Sequence, residues 1–536
     1  MRSKLILFAL LISGVFYAFK DPYFEISKNL DIFTSVYQKL NLYYVDELEP
    51  GDLMQTAIKS MMESTDPYTN YFPESMVESH RIRQQESLGN IGVEVTKIDN
   101  QFVISKLFEA SPSIEAGLKV GDAILSIDNL EVDQLTLDDV RYRLEGETTS
   151  ILTLNVQSFE SNKTKTIEVE RQTLDKKSVP YASMLDEETG YISLQSFSRG
   201  CANDVKTAFE NLKEQGMQSL ILDLRGNPGG LLRESVNLCN IFIPKGELVV
   251  TSKGKTEEHN QAYRCSKTPV DTEMPIVVLV NGGSASASEI VSGTFQDIDR
   301  AVVMGEKTFG KGLVQQTLRM PYNAQIKITV AKYYTPSGRC IQAIDYSKYK
   351  RDEAAPRQEF KTRSGRSVFD GNGVEPDVLV EPNLPSNLLQ NIKKNHHIHR
   401  FANRFKAKHD SIVSAEEFQL SDVDYQQFID ELNQADFDYN YALEKELEVF
   451  ENQSSKSSFS SSLKENIQAL KASLEAQKVS EFDQEKEAIK KAIELELIGR
   501  YYYKRGQLIS ALAEDPACIK AKALLKDSEA YEKLLR

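Results

Sequence analysis

Histidine is scarce in this chain: six among 536 residues, with none between His259 and His396. A Ser-His-Asp triad with its serine in that interval would have to take its base from sequence-distant loops. Cysteine is equally thin. Cys201, Cys239, Cys265, Cys340 and Cys518 are widely spaced and form no C-x-x-C pair, which argues against structural zinc and leaves at least one thiol unpaired in a monomer. Positive charge is in deficit, with 64 Lys and Arg against 79 Asp and Glu and a net charge of -15. A broad phosphate-binding surface, and with it a nucleic-acid partner, is therefore not expected. The hydrophobic and charged fractions, 40% and 27%, are those of a globular protein, and 536 residues make about three or four domains.

The N-terminus reads as an address. Arg2 and Lys4 precede an apolar run over residues 5–19, too short for a comfortable span and about right for a signal-peptide core. No clean A-x-A cleavage pattern follows, and no cysteine stands nearby for lipid attachment. Export is expected, with the segment either cleaved or kept as a membrane anchor.

Residues 22–84 read as helical, with Leu30, Phe33, Val36, Tyr37 and Leu40 at helical spacing and a break at Asp66-Pro67. Residues 85–158 change to short β-type runs, 91–95, 102–108, 123–127 and 151–156, with one helical stretch over 137–144. From 159 to 380 strands and helices alternate. Buried strands are expected at 191–194, 220–224, 276–280, 301–305 and 327–334, and helices at 203–215, 231–242 and 287–296. Apolar runs of this kind favour a parallel-rich sheet covered on both faces. Residues 381–536 are polar and helical, with a linker candidate at 454–462 and no recognisable chemistry. His396, His397 and His399 do not share one helix face, so no metal is assigned to them.

Chemistry concentrates in residues 277–297, VVLVNGGSASASEIVSGTFQD. A β-run ends at Val280, a tight turn follows, and Ser284, Ser286 and Ser288 stand at the entry to a helix, where backbone N–H groups favour an oxyanion. The same stretch also reads as a capping box, Ser286-x-x-Glu289, with a purely structural serine. A second segment, GEKTFGKGLVQQ over 305–316, places Lys311 between two glycines. Desolvation there would lower the lysine pKa and make it a base, although an exposed loop explains G-K-G as well. It lacks the full phosphate-loop pattern. A third, LILDLRGNPGG over 220–230, ends a strand in a turn whose glycines suit either close backbone approach or an ordinary stop.

Together and in this order, these segments resemble the C-terminal processing peptidases, also called tail-specific proteases. The resemblance covers roughly residues 28–380 and includes the runs at 333–339 and 371–378. It implies a Ser-Lys serine endopeptidase with Ser286 as nucleophile, Lys311 as base and Gln315 orienting the lysine. The turn, through Gly229 or Gly230, and the N–H of Ala287 would form the oxyanion hole. It implies a crotonase-like α/β core carrying an inserted PDZ domain over 85–158, with helical regions at both ends and no cofactor. In the PDZ domain, Gly89, Asn90, Ile91 and Gly92 would form the loop that captures a C-terminal carboxylate, and the following strand would pair with an extended peptide. The expected partners are proteins or peptides with free apolar C-termini, in a periplasmic or inner-membrane setting. A homodimer is left open, as is the alternative of a non-catalytic PDZ scaffold on a protease-like core.

Overall fold

The computed structural model describes residues 22–74, 76–77, 89–174, 177–346, 357–382, 385–435, 437, 442–455 and 461–536. The apolar leader at 5–19, Leu88 and the centre of the linker candidate at 454–462 lie outside the described residues. The chain divides into two compact units, one of Met1–Val77 with Gln315–Thr329 and one of Glu78–Val314 with Val330–Arg536.

In the smaller unit, the helices Pro22–Tyr43 and Pro50–Glu63 are followed by the strand Asn70–Phe72, antiparallel to residues 325–327. Proline begins the second helix, where its missing N–H costs nothing. The expected break at Asp66-Pro67 is a side-chain-stabilised turn, Asp66 Oδ1 accepting the N–H groups of Tyr68 and Thr69 at 2.8 and 2.9 Å. The helical stripe of Leu30, Phe33, Val36 and Leu40 is exposed.

The larger unit starts with a β-rich module. Its strands run in the order Val93–Ile98, Gln101–Leu107, Ala123–Ile127, Ile151–Gln157, Thr164–Glu170, all antiparallel. Strict alternation in Ile151–Gln157 turns Leu152, Leu154 and Val156 inward onto Ile91, Phe102, Ile104 and Val140. The helix Leu137–Leu144 is capped by Thr136, which accepts from Asp139 N–H while the Asp139 carboxylate accepts from Thr136 N–H. The last strand lies past residue 158, the expected end of this module; it is charged at every second or third position and shows only one buried residue, Val169.

The central sheet has six strands in the order Tyr181–Met184, Thr189–Ser193, Ser219–Asp223, Ile276–Val280, Val302–Gly305, Val378–Leu379. All neighbours are parallel except the first pair. Because strand side chains alternate, Ile276, Val278 and Val280 meet the layer that contains Val205, Phe209, Phe242 and Phe295, while Val277 and Leu279 face the other way. That second face is covered by the end of the chain: Leu512, Ala517, Cys518, Ala521, Leu525 and Tyr531 pack on Tyr191, Ile221, Val302 and Met304. Each fully buried Leu or Ile of these layers contributes roughly 1.5–3 kcal/mol.

One expected core strand is placed differently. Residues 327–334 lie in the longer strand Gln325–Tyr334, outside the parallel sheet; residues 331–334 pair antiparallel with 251–254. Lys327, Thr329 and Lys332 interrupt its apolar pattern and keep most of it half-buried. The remaining helices build a separate core from Leu388, Ile392, Phe401, Phe428, Ile489, Ile493 and Leu497. All five cysteines are free thiols.

Candidate active site

Three strand-ending segments of the central sheet converge. The strand Ile276–Val280 leads through a turn into the helix Ala287–Asp297, and Ser286 sits at the junction. Its φ and ψ are 57° and -110°, a strained conformation for a residue with a side chain. Such strain is held where the surroundings over-determine it, here by bonds on both sides of the turn.

The three serines of the motif differ sharply. Ser284 is fully buried; its hydroxyl donates to Leu224 O at 2.8 Å and accepts Asn281 N–H at 3.0 Å. Ser288 is also fully buried and donates to Asn227 O at 2.9 Å. Ser286 is half-buried, and its hydroxyl makes no cap hydrogen bond. The residues are laid out as a capping box, yet the Glu289 N–H goes to the Ser286 carbonyl, at 2.9 Å.

Glu289, one turn into the helix, has no exposure at all. Its Oε2 accepts Ser286 N–H at 2.8 Å and Lys311 N–H at 2.9 Å. Its Oε1 accepts Thr308 Oγ1–H at 2.6 Å and Gly310 N–H at 2.7 Å. Burial pushes this carboxyl above the usual range, and the four hydrogen bonds pull against that rise. The serine turn and the lysine loop are thus laced to one carboxylate. Sequence reasoning had Glu289 only as a helix-cap partner. The S-x-x-E spacing signalled its first contact, whereas the partners on 308–311 depend on how the next strand returns.

The lysine loop is fixed from its other side too. Gly310 has φ 86°, and a Cβ there would lie 2.4 Å from the Ala343 Cβ. Gly312 N–H donates to Gln342 Oε1 at 2.7 Å, and Tyr333 donates its hydroxyl hydrogen to Lys311 O. Thr308 Oγ1 also accepts Val374 N–H at 2.7 Å, bringing the 371–378 run to the same loop. Lys311 is half-buried. Gln315 belongs to the smaller unit, where its amide donates to Thr329 Oγ1 at 3.4 Å.

The turn after Ser219–Asp223 supplies the third side. Asn227 is completely buried and anchors it: its Nδ2 donates to Leu194 O, and its carbonyl accepts both Ala285 N–H and Ser288 Oγ–H. Gly229, at φ 95°, passes so close to the serine turn that a Cβ would lie 2.5 Å from Ala285 O and 2.8 Å from Ala287 N. Its own N–H is committed to Asn227 Oδ1 at 2.9 Å. Among the described residues, the N–H groups of Gly230 and Ala287 take part in none of the turn and cap hydrogen bonds of this region. Just before the turn, Asp223 accepts from Tyr191 Oη at 2.7 Å and from Arg225, and Arg225 reaches Asp515 at 2.7 Å.

In the β-rich module the expected carboxylate loop is tighter than its sequence suggests. Gly89 and Asn90 are a short strand paired with Glu145–Gly146, and Asn90 N–H is bonded to Gln172 O. Gly92 N–H is bonded to Asn90 Oδ1 at 2.7 Å. Ile91 is buried, and its carbonyl accepts from Ser113. His396, His397 and His399 stand at the start of a helix with Arg400, Arg404 and Arg500 around them; no metal-binding cluster is formed among the described residues.

Comparison with known proteins finds family matches along most of the chain. Residues 188–347 match the model of Peptidase family S41, residues 89–170 that of a PDZ domain, and residues 388–525 that of "Probable PDZ-protease, C-terminal helical domain". A carboxy-terminal-processing protease of Bartonella bacilliformis is 30% identical over 67% of this chain and 76% of its own length. A probable CtpA-like serine protease of Staphylococcus aureus is 33% identical over 60% of this chain and 66% of its own length, just under two thirds. Among solved structures, a photosystem II D1 C-terminal processing protease is 26% identical over 66% of this chain and 88% of its own, at a TM-score of 0.38. This chain belongs to Peptidase family S41, the carboxy-terminal-processing proteases, as a serine-type peptidase with a PDZ domain and a helical C-terminal domain.

Proposed function

We propose that the chain is an exported endopeptidase on a crotonase-like core that cleaves peptide bonds through an acyl-enzyme on Ser286. The observation that carries this is the contrast among the three serines. Two are buried and bonded as structural struts, whereas Ser286 is accessible, strained and tied through Glu289 to the Lys311 loop. Lys311, neutral at rest, takes the Ser286 proton as the hydroxyl attacks the substrate carbonyl. Gly230 and Ala287 donate their N–H groups to the tetrahedral oxyanion. Gly229 serves by lacking a side chain, since its N–H is already bonded. The lysine returns the proton to the leaving amine and then deprotonates the water that releases the acyl group. Gln315 orients the lysine.

The PDZ domain recruits substrates by their free, apolar C-termini, and Arg2, Lys4 and the run at 5–19 direct export, with cleavage or membrane retention as the two outcomes. The test is an acid-quenched digestion of a denatured protein, followed by intact-mass and peptide mapping. An acyl adduct on Ser286 is expected, and slower turnover of C-terminally amidated substrates. Hydrolysis with no adduct in the wild type and undiminished turnover by Ser286→Ala would refute the mechanism.

A further inference from the structure

Among the described residues the strand Val93–Ile98 is an edge: it pairs with Gln101–Leu107 on one side only. Its free side faces the helix Leu137–Leu144, from which Arg141 Nη2 donates to Val95 O at 3.4 Å. An unpaired strand beside a helix accepts an extended peptide as an added strand. That much belongs to the PDZ reading above. The groove, however, has a further wall. A cavity of about 790 Å3 is lined by Val93, Val95 and Arg141 from the module and by His396, His399 and Glu496 from the C-terminal helices. The two sides are fastened beside it. Arg400 pairs with Asp99 at 2.7 Å, and Asn403 seats against Gly121 so closely that a Cβ there would lie 2.5 Å from its Nδ2.

His399 points to what the cavity takes. It is only 9% exposed. Arg500 Nη2 lies 2.9 Å from its Nδ1, and Glu496, which holds Arg500 at 3.0 Å, stands further from that nitrogen, at 3.5 Å. A guanidinium only donates, so Nδ1 is the acceptor and the neutral ring carries its proton on Nε2. That Nε2–H is buried and has no hydrogen-bond partner among the described residues. A buried donor without an acceptor is costly and rare. His399 is also one of the residues that line this peptide-sized cavity, opposite the strand edge.

We propose that the peptide groove is a composite site: an extended polypeptide end lies between Val93–Ile98 and the C-terminal helices, and His399 Nε2–H donates to one of its carbonyl or carboxylate oxygens. The C-terminal helical domain then reads the ligand together with the PDZ domain. Because backbone oxygens are common to every peptide, this contact adds affinity without demanding a sequence. The proposal rests on the PDZ domain's binding peptides, and its test separates the two claims.

The full chain carrying Ser286→Ala is titrated with a fluorescein-labelled decapeptide ending in two valines, as free acid and as amide. His399→Phe keeps the ring and removes the donor; it should weaken Kd about tenfold. His399→Gln, whose amide N–H falls near the Nε2 position, should recover most of the loss. Loss only with the free acid assigns the contact to the carboxylate; loss with both assigns it to a backbone carbonyl. A Phe variant that melts with its parent and binds within about twofold of it overturns the composite site. Should His399→Phe not fold, the Ser286→Ala parent is photo-crosslinked to the same peptide carrying a benzophenone. Adducts on 393–399 or 492–507 support the proposal, and adducts confined to 89–172 overturn it while sparing the PDZ reading. No binding by the parent overturns both.

Discussion

Lys311 donates its backbone N–H to the same carboxylate oxygen of Glu289 that receives Ser286 N–H, at 2.9 and 2.8 Å respectively. One atom therefore sets the spacing of two residues that lie on different loops. The arrangement fixes both backbones. The cost of hiding a carboxylate is offset by four donors, two on each oxygen.

Glu289→Gln tests this. An amide keeps one acceptor oxygen and turns two new donors toward N–H or O–H groups that already donate. A loss of about 100-fold in kcat/KM is expected, with stability lowered by about 1–3 kcal/mol. The pH dependence has a definite sign. Burial raises the folded-state pKa above the ordinary 4.5, so the group's contribution to stability is complete below the unfolded value and is lost as pH rises through the folded one. The Gln variant has no such loss. The stability advantage of the wild type over Glu289→Gln should therefore shrink between about pH 4 and pH 7. Urea unfolding at both pH values reads this directly, and an advantage that grows with pH contradicts it.

The serine series separates chemistry from scaffolding. Ser286→Ala should abolish proteolysis with little change in melting temperature, since its hydroxyl makes no cap bond. Ser284→Ala and Ser288→Ala each remove a buried hydroxyl bonded to a neighbouring carbonyl. They should lose about 1 kcal/mol of stability and keep most activity. Proteolysis surviving in Ser286→Ala but lost in a folded Ser284→Ala would move the nucleophile.

Lys311→Arg should be as inactive as Lys311→Ala, because a guanidinium stays protonated at any usable pH and cannot serve as a base. For the same reason wild-type kcat/KM should rise with pH as the ammonium loses its proton, and chelators should leave it unchanged. Measurable turnover by the Arg variant at a rate near that of wild type would remove the lysine from the base role.

The sequence made this core readable because its strands are continuous apolar runs bounded by glycine. Residues 276–280 were placed to the residue, and 220–224 and 301–305 to within one. The strand at 327–334 misled because β-propensity does not say which sheet a strand joins. The family to which the Ser286 and Lys311 segments belong was legible from motif order. What decides between a capping serine and one whose hydroxyl caps nothing was not: the distinction lies in φ, in burial and in a carboxylate whose second set of partners is 19 to 22 residues away. Glycine roles were likewise half-visible. The NPGG turn announced close approach, but that Gly229 donates its N–H to Asn227 Oδ1 depends on how the turn folds back.

The chain's end carries the last prediction. Residues 516–535 contain no chemistry in their sequence, yet they form one face of the peptidase core. Tyr531 Oη accepts Ile276 N–H and donates to Ile276 O, both at 2.9 Å, on the strand that delivers Ser286. Asp515 caps the penultimate helix through the N–H groups of Ala517 and Cys518 while holding Arg225, two residues before Asn227. Removing residues 514–536 would expose Ile221, Val277, Leu279 and Met304 to water, and two such side chains already outweigh about 3 kcal/mol. The truncated protein should be insoluble or unfolded. Tyr531→Phe is the milder probe. It keeps the ring and leaves the Ile276 N–H without its acceptor, so a loss of about 1–3 kcal/mol is expected, with kcat/KM retained below the melting transition. If truncation after 513 instead yields a folded, fully active peptidase, the last two helices are an accessory to the core and not its second layer.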